Sequence, residues 1–507
     1  MHRLFHTEGI SLDIATWSDS TRQAEERSKS FQLWSRFDER AFRNKTPGNS
    51  DSEKIVDLGE QVDNQSLRQY GSTPIDMVIE ELSGKMPDLI VWLIPGRPPE
   101  PLVSAPSVGV WGVSNAFKPA FGFRELVDFE AVTACDIIGF GMSERNDYLV
   151  ARSFAATDQL SLSRGMVGIR AKCGALLLRC VSRLKFSGLE GIEPHGNVRP
   201  ECSFPSPPQL VWGLFRLYGR YVLDVLARRF FYYQWQLAYR AGGDRLSQDN
   251  LKRLRPSHRG FWADPFVISQ DNRVFVYFEE MPENTMRGHI CALELFADGS
   301  EGEPIRVLRR EHHLSYPFLF RYRDELYMLP EAAESERVEI YRCTGFPDQW
   351  EPVRTILQGV RAYDPTLIYF DDMWWMFVTV QHGGNSCDDE LHLYYAESPF
   401  DEWRPHPLNP VQLDVRAARP AGALFSKDGK LFRPAQNCSR RYGWAISIQE
   451  IKKMTMSEFE EVTVEEIYPE WAGHARATHT VNQSEGITIY DCEARCRKSV
   501  LNPRVRR

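Results

Sequence analysis

Four strings of one pattern recur along the C-terminal half of the chain: A-D-P-F (263–266), S-Y-P-F (315–318), Y-D-P-T (363–366) and A-R-P-A (418–421). Their prolines stand 52, 48 and 55 residues apart, and a weaker fifth string, A-T-H-T (477–480), follows 59 residues after Pro420. The residues at the anchor position are Asp264, Tyr316, Asp364 and Arg419, with Thr478 and His479 in the fifth string. The strand after each anchor adds Glu279 and Glu280, Glu331, then Arg433 and Gln436. If the units fold alike, equivalent positions converge on one centre although they lie about fifty residues apart in sequence. Two Asp and a Glu in one pit can do glycosidic chemistry. One carboxylate serves as nucleophile or base, and one carboxylic acid protonates the leaving oxygen. Crowded carboxylates raise one another's pKa, which keeps the acid protonated near neutral pH. Asp264, Asp364 and Glu331 are therefore the candidate catalytic residues. Tyr316, Glu279, Arg419, Arg433, Gln436 and His479 are the candidate ligand-binding ones. Arg beside Gln suits an anion or a sugar hydroxyl.

The elements that would position them repeat as well. After each anchor come a short apolar strand, a polar turn, an aromatic and β-branched strand, and a third strand. In the first unit these read P-F-V-I-S, Q-D-N-R, V-F-V-Y-F-E-E and H-I-C-A-L-E-L. Repeats of three or four strands about every fifty residues predict an all-β five-bladed propeller over 234–495. The fifth unit runs short after I-T-I-Y-D, and Q-W-Q-L-A-Y-R (234–240) is expected to complete it. A plain β-sandwich offers no reason for the equal spacing.

Upstream, 1–53 reads as a polar extension and 54–199 as an α/β layer domain. Strands are expected at 88–96, 109–113, 134–139 and 148–155, and helices at 75–82 and 160–184. The segment 200–233 is a Pro-rich link followed by a basic amphipathic helix. Arg216, Arg220, Asp224 and Arg228 share one face, with Leu214, Leu217, Tyr218, Tyr221, Val222 and Val225 opposite. Two readings stand for it: peripheral contact with an anionic membrane, or a linker docked between two domains. Residues 496–507 form a basic tail.

Composition narrows the classes. Hydrophobic residues make up 42% and charged residues 26%, the usage of a soluble globular chain. Aromatics reach 12%, and most fall after residue 210. No apolar run approaches the roughly 20 residues of a membrane span, and no signal peptide opens the sequence. Ten Cys without a C-x-x-C pair suit reduced thiols, so a cytoplasmic location is expected. Net charge is −8, yet 211–260 carries ten Lys/Arg against three Asp. An acidic body with one short basic segment is not expected to bind nucleic acid. Asp371-Asp372 and Asp388-Asp389-Glu390 fall in predicted turns, and His312-His313 and His382 read as surface or packing residues. Gly383-Gly384 opens no helix, so no phosphate loop is read there. The sequence calls for no metal and no cofactor.

W-A-D-P-F, L-S-Y-P-F-L-F, L-Y-M-L-P-E, Y-D-P-T-L, D-V-R-A-A-R-P-A-G and R-P-A-Q-N-C-S-R-R-Y-G carry a family resemblance. The region from about 235 to 491 resembles the N-terminal domain of plant glucosamine inositolphosphorylceramide transferases and bacterial relatives. More distantly it resembles the propeller superfamily of arabinanases, β-xylosidases, levansucrases and invertases. That resemblance implies a carbohydrate, glycolipid or sugar-nucleotide ligand. It places Asp264 where those glycosidases keep their nucleophile or base, and Asp364 where an Asp orients substrate or tunes the acid. Their acid is usually a fourth-blade Glu, where this chain has Arg419, Arg433 and Gln436, so Glu331 is the substitute. A glycan-processing enzyme and a non-catalytic glycan-binding module both remain open. In the plant proteins the transfer chemistry is assigned to a separate downstream domain. Residues 54–185 more weakly resemble a formyltransferase fold, through P-D-L-I-V-W-L-I-P-G, G-V-W-G-V and T-A-C-D-I-I-G-F-G. Asn115 is kept, but no His-Pro follows and Glu144 stands at the Asp position, which implies a degenerate, inactive scaffold.

Overall fold

The computed structural model describes residues 14–17, 29–42, 67–71, 87–93, 96–114, 120–143, 146–188, 198, 204–242, 246–256, 260–381, 386–484 and 486–498. The expected helix at 75–82, and Asn115, Glu144, His382, Gly383 and Gly384, lie outside the described residues. The described residues fall into two compact units divided at Gly219/Arg220.

In the first unit, strands Leu89–Trp92, Gly109–Val113, Val132–Phe140 and Tyr148–Ala156 form one sheet in that order. The first pair is parallel and the other two antiparallel. Asp136 and Arg152 face each other across that last pair at 2.7 Å. Helix Leu162–Ser187 packs against these two strands, capped at its start by the Ser161 hydroxyl, which accepts from the Arg164 N–H. The Asp38 carboxylate, from helix Lys29–Phe42, accepts from the Ser163 N–H at 2.8 Å. An anion at a helix N-terminus meets the unpaired N–H groups and the positive end of the dipole.

The basic segment is helical from Pro207 to Phe230, and a strand begins at Phe231. Its first half seats through Leu210, Gly213 and Leu217, and a Cβ on Gly213 would come within 2.8 Å of Val127. The glycine is there for close approach, not flexibility. Arg216 reaches Asp128 at 3.4 Å, and Arg228 pairs with Asp224 at 2.7 Å. Of the expected apolar side, Tyr221, Val222 and Val225 are exposed and Leu217 is buried among the docking residues; Val211, Trp212, Phe215, Leu223, Leu226 and Phe230 are exposed as well. No helix of the described residues is long and apolar enough to cross a membrane, and the described cysteines are free thiols.

The second unit is a ring of five antiparallel sheets. Blade one runs outward through Phe261–Gln270, Arg273–Met281, His289–Leu295 and Ile305–Leu308. Blade two runs through Ser315–Tyr322, Glu325–Glu331, Arg337–Gly345 and Gln349–Gln358. Blade three runs through Arg361–Phe370, Met373–Gln381, Leu391–Ala396 and Arg404–Pro405. Blade four starts at Arg419–Pro420 and continues through Lys430–Asn437, Ala445–Met454 and Phe459–Ile467. Blade five joins the two ends of the unit. Val481–Ser484 and Ile487–Arg497 are followed outward by Phe231–Ala241 and Lys252–Leu254. Eleven residue pairs, Ile487↔Ala241 to Arg497↔Phe231, zip that seam.

The polar turns inside the blades have a common chemistry. Asp271-Asn272, Arg323-Asp324, Asp371-Asp372 and Asp428-Gly429 all carry positive φ at both positions. That is the geometry of two-residue hairpins whose twist matches the strands, and Asp, Asn and Gly tolerate it best. The acidic pair at 371–372 is therefore turn chemistry. Between neighbouring blades lie five apolar cores, one at each interface around the ring. Phe318, Phe320, Tyr327 and Trp374 fill the one between blades two and three, and Trp375, Phe377 and Phe459 the next. Flat sheets splayed from an axis leave wedge-shaped gaps, and aromatic side chains fill these with large apolar area. The aromatic excess is largely this.

Candidate functional site: a carboxylate cluster at the propeller axis

The anchor residues reach the axis by a shared backbone device. In blades one to three the inner strand carries a bulge in which two residues, the anchor and its proline, oppose a single partner residue. Proline has no N–H for the ladder, so the chain steps out of register there. Asp264, Tyr316 and Asp364 consequently sit at φ 52°, 44° and 53°. Left-handed backbone is uncommon for Asp and an outlier for Tyr, and such strain concentrates at functional positions. Blade four pairs Arg419 with Gln436 in regular register.

Arg419 is the hub. Its Nε donates to Asp364 Oδ2 at 2.6 Å, Nη1 to Asp388 Oδ1 at 3.0 Å and Nη2 to Glu331 Oε2 at 3.4 Å. Gln436 donates to the same Asp364 oxygen at 2.8 Å. On the other side, Asp264 accepts from the Thr480 hydroxyl at 2.8 Å and lies 3.5 Å from His479 Nε2. His479 Nδ1 is 2.6 Å from Asp491, whose carboxylate also accepts from the backbone N–H of Asp264, His479 and Thr480. Asp491 thus fixes the imidazole and the backbone around it. Gly443, at φ 60°, lets the main chain pass where a Cβ would lie 2.7 Å from the His479 Cβ and 3.1 Å from its ring.

Aromatic rings cover the cluster. Arg419 lies between the faces of Tyr363 and Tyr442, 5.2 and 5.0 Å from their centroids. Trp235 stacks on His479 at 4.1 Å, and Tyr442 meets that imidazole edge-on at 5.3 Å. Asp264, Glu331, Asp364, Arg419 and His479 are buried, whereas Tyr442 is 43% exposed and forms the outer surface.

Burial sets the protonation pattern. Desolvation pushes the Asp264 carboxyl up to about 7, against the pull of the His479 imidazolium and with further upward pressure from Asp364. Glu331 is raised well above its usual range, first by burial and then by the neighbouring Asp364, to which it also hydrogen-bonds. Both effects make it hold its proton more tightly than an ordinary carboxylic acid. Burial pulls His479 down, but Asp491 and Asp264 outweigh it and raise the imidazole to about 9. The result is a carboxyl of raised proton affinity, an Asp–Arg pair and an Asp–imidazole–Asp chain around one axis.

The structure therefore brings Asp264, Glu331, Asp364, Arg419, Gln436 and His479 together. Glu279 joins at the margin, its carboxylate 3.2 Å from His313 Nε2. Tyr316 is fully buried, and its hydroxyl bonds Thr366 at 2.8 Å and accepts from the Gly422 N–H at 2.8 Å. It braces three blades. Arg433 lies elsewhere, inside blade four, where it pairs with Glu461 at 2.7 Å and donates to the Ala417 carbonyl. It sits three residues before Gln436, and alternation turns it away from the axis. Asp388 and His313 take up partners in the cluster, although both were read as solvated or packing residues. Sequence reasoning missed Asp491, Thr480, Trp235 and Tyr442. Asp491 follows Tyr490, the partner of Val481, and the register of Glu279 and Glu331 extended to blade five points two residues further on, to Glu493, so the repeat alone does not find it. Asp264, His479 and Asp491 also offer ligand atoms within 4.8 Å of one another, a donor set that could hold a divalent cation.

Residues 252–484 match the family described as Glucosamine inositolphosphorylceramide transferase 1, N-terminal. The curated glucosamine inositolphosphorylceramide transferase 1 of Oryza sativa subsp. japonica is 35% identical over 209 residues, 40% of this chain and 28% of that protein. Its Arabidopsis thaliana counterpart is 34% identical over 208 residues, 40% of this chain and 27% of that protein. The chain spans under a third of the length of either relative. Among solved structures, the catalytic domain of a Coprinopsis cinerea GH62 α-L-arabinofuranosidase is 11% identical with a TM-score of 0.35, covering 51% of this chain and 97% of that one. An exo-1,5-α-L-arabinanase from a bovine ruminal metagenomic library is 12% identical with a TM-score of 0.31, covering 41% and 80%. The five-blade count rests on the strand pairing of this chain, not on those overlaps.

Proposed function

We propose that the propeller recognises a glycan or the glycan portion of a glycolipid at its axis and acts on it with Asp264, Asp364 and Glu331. The observation that carries this reading is the buried Glu331 carboxyl beside the Asp364–Arg419 pair and the Asp264–His479–Asp491 chain, under the rings of Trp235, Tyr363 and Tyr442. Aromatic faces suit the apolar faces of sugar rings. In the reaction proposed, Glu331 gives its proton to the leaving glycosidic oxygen while Asp264, its proton affinity poised near neutrality, serves as nucleophile or base. Arg419 and Gln436 hold Asp364 in place, and Asp364 in turn keeps Glu331 protonated. Because the carboxylates are buried beneath Tyr442, the ring must swing aside for a sugar to reach them. The names of the relatives add support for a glycan ligand, since those proteins are named as glucosamine transferases.

The test is a glycan and sugar-nucleotide screen for binding and turnover with wild type, Asp264→Asn and Glu331→Gln. The account expects turnover lost in both variants by at least about 100-fold with glycan binding kept in Glu331→Gln. Binding without turnover in the wild type would leave the non-catalytic module as the correct reading.

For the Pro207–Phe230 helix we propose contact with an anionic lipid surface. Its Val211, Trp212, Phe215, Val222, Leu223, Leu226 and Phe230 are exposed, and four Arg against one Asp supply the matching charge.

A further inference from the structure

Blade one carries a second polar site that the axial cluster does not use. Between the 282–288 hairpin and the outer strand Ile305–Leu308 lies a cavity of about 680 Å³, lined among others by Trp262, Glu280, His289, Arg287, Arg306 and Arg309. That volume falls within the 300–1,000 Å³ typical of small-molecule sites.

Its floor is built and buried. Glu280 accepts from the Trp262 indole N–H at 2.9 Å through one oxygen. Its other oxygen meets His289 Nε2 at 3.1 Å and the Cys291 thiol at 3.6 Å. Trp262, His289 and Cys291 are each under 7% exposed. The register explains the convergence: Glu280 stands directly opposite both Trp262 and His289, and Cys291 is two residues further along the same face.

The rim is cationic. Arg287 projects from the hairpin, Arg306 stands opposite Cys291 on the outer strand, and Arg309 follows that strand's end. Among the described residues, none of the three forms an ion pair, in contrast to Arg273 with Glu294 on the same blade. Three like charges around one concavity repel one another unless an anion enters. Guanidinium forks match the oxygens of a phosphoryl group two at a time, while Trp262 offers an apolar wall.

We propose that this cavity binds a phosphorylated sugar, with the phosphoryl group on Arg287, Arg306 and Arg309 and the ring lying toward Trp262 and His289. The site shares no side chain with the axial cluster, so it stands or falls independently of the glycan-processing reading.

Calorimetric titration of the full chain at low ionic strength tests it, with glucose 1-phosphate, inorganic phosphate and glucose as probes. The proposal expects glucose 1-phosphate to bind at least tenfold more tightly than either fragment and to weaken as salt is raised. It expects at least a tenfold loss in the Arg306→Gln/Arg309→Gln double variant and in exposed Arg287→Gln, with no change in Arg273→Gln, whose arginine pairs with Glu294 outside the cavity. The proposal is overturned if wild type does not bind glucose 1-phosphate, if the arginine variants bind it equally well, or if inorganic phosphate binds as tightly.

Discussion

Asp491 decides more about the candidate site than its place in the sequence suggested. It charges His479, and His479 in turn moderates Asp264. Replacing it by Asn should let the His479 pKa fall from about 9 back toward 6.5, read by NMR of the imidazole. Removing one partner of a buried pair should also cost about 3 kcal/mol or more in urea unfolding. The sign of the pH dependence follows from the same shifts. His479 is raised from 6.5 to about 9, so its stabilising protonation is complete below 6.5 and lost as pH rises through 9. Asp264, raised from 3.8 to about 7, adds a further decline between those values. The melting temperature should therefore fall from pH 6.5 to 9, and the fall should flatten in Asp491→Asn. At this scale the sequence showed the anchors well, because X-Pro strings mark bulges that turn a side chain to the axis. It could not show Trp235 or Tyr442, which approach from blade five's borrowed strand and from a loop. Nor could it separate Arg433 from Gln436 without the register of that strand.

Strand and turn chemistry was legible wherever local physics sufficed. The hairpins at Asp271-Asn272, Asp371-Asp372 and Asp428-Gly429 state their turn type in two letters. The contact between blades four and five is different, since it depends on a close approach that no pattern announces. Gly422 sits at φ 132°, and a Cβ there would lie 2.1 Å from the Val481 carbonyl oxygen. Gly422→Ala should destabilise the propeller by about 2–3 kcal/mol through strain and overpacking, measured by denaturant midpoint at unchanged slope. The Pro207–Phe230 helix was legible as a helix, but its exposed side was not. Burial there is set by Leu210, Gly213 and Leu217 meeting the first unit, which helical spacing cannot name. Sedimentation with vesicles of 30% anionic lipid, about the content that gives a membrane its negative surface potential, should recover the chain. Recovery should drop several-fold for the Trp212→Ser/Phe215→Ser variant. Equal recovery would remove the lipid proposal.

The two-unit organisation came from the period and the composition shift. The closure of the ring came from a missing strand and its upstream substitute. Eleven paired residues join Phe231–Ala241 to Ile487–Arg497, so the two ends of the propeller hold each other. A chain truncated after Ser484 should lose cooperative unfolding altogether, checked by calorimetry against the full chain. Five interblade cores hold many of the chain's aromatic rings, and three further rings cover the carboxylates. The ligand is the part that no periodicity encodes, because it depends on which groups the axis leaves accessible once Tyr442 moves. The most direct measurement is the affinity of wild type, Asp264→Asn and Tyr442→Ala for a glycan array, with melting temperatures taken alongside. The account predicts binding of at least one glycan by wild type, weakened tenfold or more in both variants while each remains folded. Wild type that binds no glycan, or folded variants that bind as well as wild type, would contradict it.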